Sequence, residues 1–108
     1  MSERILHLPL KREYFDAIKS GEKLWEYRLQ TDFWRKRLVG RQYDRVELSL
    51  GYPPAGDSER RISRPWNGYL CEVITHPHFG DKPVSVYAIK VNHTMEEARH
   101  EDDTDNWW

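Results

Sequence analysis

The sequence predicts an α+β domain of about five to six strands with two or three short helices packed on them. Three observations point there. At 108 residues the chain has the length of one domain, able to bury roughly two-thirds of the surface its unfolded form exposes. Between residues 10 and 20 the apolar side chains Leu10, Tyr14, Phe15 and Ile18 recur at helical spacing, ahead of a stop at Gly21. Residues 45–50 and 84–91 follow strand rules instead. The first alternates Val46, Leu48 and Leu50 with polar residues, and the second is dense in β-branched and aromatic residues.

Taken in order, residues 4–8 form a short strand ended by Pro9, which cannot donate to a ladder. The helix over 10–20 turns Tyr14, Phe15 and Ile18 to the core, with Gly21 as its C-terminal cap. A second strand covers 23–29. Thr31 or Asp32 caps a short helix over 33–39, which Gly40 stops. After the strand over 45–50, residues 51–65 read as one long irregular connection, either a flap able to close over a ligand or a plain insertion. Its glycines match neither phosphate-binding fingerprint. Residues 69–75 form the fourth strand, and its apolar setting makes Cys71 a buried thiol. His76 and His78 flank a proline before the last strand and read as turn residues, because no second ligand cluster stands at metal-site spacing. The domain reads as residues 1–92, followed by a tail over 93–108.

Charge separates these two parts. Residues 1–45 carry 11 basic and 7 acidic side chains, a surplus of +4, whereas residues 93–108 carry 1 basic and 6 acidic, or −5. A basic body rich in aromatic residues suits a nucleic acid or nucleotide, whose phosphates attract Lys and Arg and whose bases stack on rings. One cysteine cannot close an internal disulfide, which fits a reducing cytoplasm, and neither a secretion signal nor a membrane span is present in the sequence. In the tail, Thr94 and Glu97 have capping-box spacing, and an acidic run ends in Trp107-Trp108. Two such rings call for a docking surface, so the tail is expected to fold back on the basic face and occupy part of the ligand site.

The chemistry concentrates between Ser20 and Arg28. Glu26 and Arg28 are two residues apart and share one face of an extended chain with Leu24, while Trp25, Tyr27 and Leu29 take the other. Lys23 has the wrong parity for the Glu26 face unless a bulge after Gly21 re-aims it. The bland reading is an exposed ion pair on a half-buried strand. A second basic cluster, Arg35, Lys36 and Arg37 with Trp34 beside them and Arg41 beyond, offers phosphate contacts and a stacking ring, or else an ordinary solvated helix face. Arg60, Arg61 and Arg64 add three cations in the expected flap.

Leu10-Lys11, the helix through Tyr14-Phe15-Asp16-Ala17-Ile18-Lys19-Ser20-Gly21-Glu22-Lys23, and then Trp25-Glu26-Tyr27-Arg28 together resemble the activating-signal-cointegrator homology (ASCH) domain. The closing strand Val86-Tyr87-Ala88-Ile89-Lys90-Val91 is similar to that family's as well. The resemblance implies a small mixed β-barrel of the PUA-like type, with a cleft between the first helix and the second strand. It implies association with RNA, and ribonuclease activity in one branch. Another branch removes the acetyl group of N4-acetylcytidine with a lysine, a threonine and a glutamate; Lys23 matches that lysine, and Glu26 stands where the threonine would be.

Joined to the residue-level reading, this makes Lys23, Glu26 and Arg28 the catalytic candidates. Lys11, Trp34, Arg35, Lys36, Arg37, Arg60, Arg61 and Arg64 become the nucleic-acid-binding ones. The expected function is hydrolysis of RNA in a Lys/Glu/Arg cleft. The alternatives are an amidohydrolase acting on a modified nucleoside and a non-catalytic RNA-binding or adaptor module. The sequence specifies no cofactor, leaves room for a divalent cation, and does not set the oligomeric state.

Overall fold

Residues 2–93 are described by the computed structural model. The capping box at Thr94, the acidic run and Trp107-Trp108 lie outside the described residues, and with them the expectation that the tail occupies the ligand site.

Strand β1 (Ile5–Leu10) buries Leu6, Leu8 and Leu10 by strict alternation. It runs past Pro9, the expected stop, because it is the edge strand of its sheet and one side of an edge needs no N–H donors. Helix α1 (Arg12–Lys19) buries Phe15 and Ile18 and leaves Tyr14 half-exposed. Strand β2 (Trp25–Leu29) follows, then helix α2 (Asp32–Leu38), whose N-terminus is capped by Thr31 Oγ1 accepting from the Trp34 N–H at 3.3 Å. Strands β3 (Arg45–Leu50), β4 (Arg61–Pro65), β5 (Tyr69–Ile74) and β6 (Val84–Lys90) complete the chain, with short 3-10 turns at Ser58–Arg60 and Pro77–Phe79.

The strands form two sheets of three. In one, β1 lies parallel to β3, which pairs antiparallel with β4; in the other, β6 is central and pairs antiparallel with β2 and β5. The expected barrel is therefore not formed. Closure needs every strand bonded on both sides. Among the described residues β1, β4, β2 and β5 are all edges, and no ladder joins the two sheets.

The core lies between them: Leu6, Leu8, Val46, Leu48 and Ile62 from the first sheet meet Tyr87 and Ile89 from the second and Val91 just beyond it, with Phe15, Ile18 and Leu38 of the helices. Central β6 has an unbroken buried run, Val86 to Ile89, as a strand covered on both faces should.

Two further expectations are corrected. The flap over 51–65 is irregular only in its first part, since Arg61–Pro65 is a strand held in register against β3, with Ile62 opposite Leu48 in the core. Cys71 is exposed, because β5 is an outer strand and leaves Leu70, Cys71 and Val73 uncovered. No helix among the described residues is long and apolar enough to cross a membrane.

Candidate functional site

The junction of α1 and β2 builds the site. Gly21, at φ 88°, takes the left-handed conformation that ends α1, which suits a residue without a Cβ. The chain then folds back so that the Lys23 N–H donates to Ala17 O at 3.0 Å. From the other side the Val91 N–H donates to Leu24 O at 2.8 Å. Asn92 completes the clamp: Nδ2 donates to Ile18 O and to Lys23 O, each at 2.8 Å, and Oδ1 accepts from Arg64 Nε at 3.1 Å. Lys23 thus precedes the regular strand, and the parity objection does not apply to it.

Its ammonium donates to Trp25 O and lies 3.6 Å from Glu26 Oε1. Arg28 approaches the other carboxylate oxygen, with Nη2 2.8 Å from Glu26 Oε2 and 2.9 Å from Pro9 O, so one nitrogen ties β2 to β1 across the cleft. Glu26 is 6% exposed, the buried charged residue of the described chain, and its Oε1 also accepts from the Tyr27 N–H at 3.2 Å. The bland reading of an exposed pair is excluded. What stands here is a buried carboxylate held between two cations.

The Arg28 guanidinium lies 4.9 Å from the Trp34 ring centroid, and its Nε is buried without a hydrogen-bond partner among the described residues. Lys23 Nζ lies 4.7 Å from the Tyr27 ring centroid and 5.7 Å from that of Tyr14. Burial lowers the Lys23 pKa from its ordinary value and Arg28 lowers it further, while the charge and hydrogen bond of Glu26 act against both. Burial, followed by nearby carboxylates, raises Tyr14 and Tyr27.

These side chains line one cavity of about 420 Å³. Lys23, Glu26 and Arg28 meet there with Lys11, and Tyr14, Tyr27, Phe33 and Trp34 supply rings. His76, His78 and Phe79, from the turn between β5 and β6, complete the lining. The His78 ring packs edge-on against Tyr14 at 5.6 Å, and His76 lies 6.4 Å from Tyr27. With the histidines neutral, three cations face one carboxylate, so the cavity carries a positive surplus. A smaller hollow of about 400 Å³ shares Tyr14, Lys23, Tyr27 and His76 with it, placing Lys23 between two open spaces.

The structure brings Lys11, Lys23, Glu26, Arg28 and Trp34 together. It does not bring the other predicted nucleic-acid contacts to them. Arg35 pairs with Asp32 at 3.1 Å, Arg60 with Asp57 at 3.6 Å, and Arg61 with Glu47 at 2.6 Å. Arg64 is tied to Val91 O and Asn92, while Lys36 and Arg37 line a different hollow. Sequence reasoning passed over Tyr14 as core and His76 and His78 as turn residues. The signal for them was the aromatic and imidazole content of a turn that the topology returns to α1. Among the described residues no three His, Cys, Asp or Glu side chains gather as a metal site would need. No protein-family model, curated protein or solved structure matches this chain.

Proposed function

We propose that this chain takes one nucleotide unit of RNA into the Lys23–Glu26–Arg28 cavity and hydrolyses it. The observation that carries this reading is the meeting, in a single cavity of about 420 Å³, of aromatic walls suited to a base and a cationic surplus suited to a phosphate. The resemblance of residues 10–28 to ASCH domains points the same way.

In this reading the base stacks on Trp34 or the tyrosines, and Lys11 meets the phosphate. Arg28 contributes Nη1, because Nη2 is already taken by Glu26 and Pro9 and Nε is buried. Lys23, with its proton affinity reduced by burial, acts in its neutral form: it accepts the proton of the attacking 2′-hydroxyl and returns it to the departing 5′-oxygen as the P–O5′ bond breaks, and water then opens the resulting 2′,3′-cyclic phosphate. Positive charge from Arg28 then stabilises the pentacoordinate phosphorus. Glu26 holds the Arg28 guanidinium and the Lys23 nitrogen in place and takes no part as an acid.

A second reading, an amidohydrolase acting on a free modified nucleoside such as N4-acetylcytidine, is favoured by one observation. Of the eight predicted nucleic-acid contacts only Lys11 and Trp34 line the cavity, which makes it a space of nucleoside scale. There neutral Lys23 would deprotonate water for attack on the acyl carbon and return the proton to the departing N4 nitrogen as the C–N bond breaks, releasing acetate.

One panel tests both: labelled single-stranded RNA and N4-acetylcytidine, each incubated with the native chain, Lys23→Ala and Trp34→Ala. RNA cleavage that disappears in Lys23→Ala is the expected result, with Trp34→Ala weakening binding by about 1–3 kcal/mol through lost stacking. Acetate release without RNA cleavage selects the second reading. Binding without turnover of either substrate refutes hydrolysis and leaves a recognition module.

A further inference from the structure

Away from the cavity, a hollow of about 430 Å³ opens where the start of β1 meets the end of α2, lined by Arg4, Lys36, Arg37, Arg41, Gln42 and Tyr43. Four cations surround it, and none is in an ion pair with a carboxylate among the described residues. Arg35, Arg45, Arg60 and Arg61, by contrast, each lie within salt-bridge distance of an acid. Of the acids near the cluster in sequence, Glu3 pairs with Arg45 at 3.2 Å, Asp32 pairs with Arg35 at 3.1 Å, and Asp44 uses Oδ2 to accept from the backbone N–H of Arg4 at 2.7 Å.

Helix capping accounts for part of the cluster. Arg41 Nε donates to Lys36 O at 3.2 Å, which satisfies a carbonyl in the last turn of α2, and Arg37 Nη1 donates back along the helix to Phe33 O at 3.0 Å. Each guanidinium keeps further N–H groups after that single bond. The side chains of Arg4 and Lys36 make no hydrogen bond among the described residues, so capping does not explain them.

The hollow also connects to the cavity. The Arg37 guanidinium lies 3.4 Å from the centroid of the Phe33 ring, so the two stack directly. Phe33 lines the cavity and Arg37 lines the hollow, making their stack the crest between the two. A seven-residue helix spans only about 10 Å, so the two sites are close enough for one short strand to reach both.

We infer that the Arg4–Lys36–Arg37–Arg41 hollow holds backbone phosphates of a single RNA strand whose neighbouring base enters the Lys23–Glu26–Arg28 cavity. This rests on the RNA reading of the cavity and adds that the substrate is a strand, not an isolated nucleotide. The Phe33–Arg37 crest then offers a ring to the intervening base and a cation to its phosphate.

The test uses the double variant Arg4→Gln/Lys36→Gln, which leaves every capping bond of α2 in place. Binding of a fluorescein-labelled RNA hexanucleotide is followed by anisotropy across a range of salt concentrations, and binding of cytidine 5′-monophosphate by tryptophan fluorescence. The expected result is a roughly tenfold loss of hexanucleotide affinity, a salt slope shallower by about 0.7 for each phosphate left without its cation, and unchanged mononucleotide binding. Hexanucleotide affinity and slope that stay the same, with mononucleotide binding intact, would overturn the hollow and leave the cavity standing. Absent mononucleotide binding, with hexanucleotide binding still sensitive to the double variant, would refute the cavity reading and retain the hollow. In the native chain, oligoglutamate of matched charge should displace the RNA poorly. Displacement equal to that by unlabelled RNA would assign the hollow to acidic polypeptides and overturn the proposal.

Discussion

Replacing Glu26 by Gln keeps its shape and removes its charge. Arg28 Nη2 at 2.8 Å and Lys23 Nζ at 3.6 Å then face each other with no anion between them. At an effective dielectric of about 20, the two contacts correspond to about 6 and about 5 kcal/mol of attraction. Most of this is offset by the desolvation of three charges, so the gross figure is not the expected loss. Breaking one partner out of a buried pair costs about 3–5 kcal/mol. Because Lys23 and Arg28 border an open cavity, water relieves part of their repulsion, and the expected loss is at the lower end, about 3 kcal/mol. For a domain of this size that lowers the Tm by about 12–24 °C, read by circular dichroism at neutral pH. Phosphate should restore the variant more than it stabilises the native chain, because the two orphaned cations recruit it. A loss below about 0.5 kcal/mol, the range of an exposed surface pair, would refute the argument that this carboxylate is the keystone of a desolvated site.

Other outcomes follow from the same geometry. Lys23 has a folded-state pKa below the ordinary lysine value of 10.5. The unfolded chain therefore holds this proton more firmly, and Lys23 contributes stability that rises with pH from its folded pKa up to 10.5. Tyr14 and Tyr27, raised above 10.0, act in the opposite sense, the folded chain losing stability as they ionise. The test is accordingly a difference: the stability of the native chain minus that of Lys23→Met should climb through the alkaline range below 10.5, and a flat or falling difference refutes the desolvation of Lys23. Asn92→Leu should cost about 2–3 kcal/mol in chemical denaturation by stranding the carbonyls of Ile18 and Lys23. Asn92→Asp keeps the acceptor for Arg64 but lacks the two donors, so it should be as damaging as Leu; full stability in the Asp variant would show that the donated bonds do not hold Lys23.

Several of these features were legible in the sequence for identifiable reasons. Two-residue periodicity put Glu26 and Arg28 on one face, and glycines at 21 and 40 ended helices where left-handed backbone is needed. Lys23 was half-legible. Its distance from Glu26 depends on the return of the chain after Gly21, which is fixed by Asn92, 69 residues away from Lys23 in sequence. Strand β4 was hidden because Ile62 is its single core residue and its arginines look like loop residues. Arg61 and Arg64 instead spend their hydrogen bonds on Glu47, Pro53 O, Pro54 O, Val91 O and Asn92. The barrel came from the resemblance and failed because, among the described residues, no ladder joins the two sheets. Cys71 was misread because hydropathy does not distinguish an outer strand from a central one.

The pairing of β2 with β6 sets when the site can exist during synthesis. Trp25 is opposite Lys90 and Leu29 opposite Val86, so the strand bearing Glu26 and Arg28 has no hydrogen-bonded neighbour in its sheet until nearly the whole described chain has been made. The first sheet, by contrast, can pair β1 with β3 once residue 50 is available. A nascent chain emerging from the ribosome thus carries its three charged groups on an unpaired segment while the other half of the fold is already able to form. The cavity arises from the last strand of the described residues to be translated, and a chain arrested before residue 84 would present these residues without the chemistry they create together.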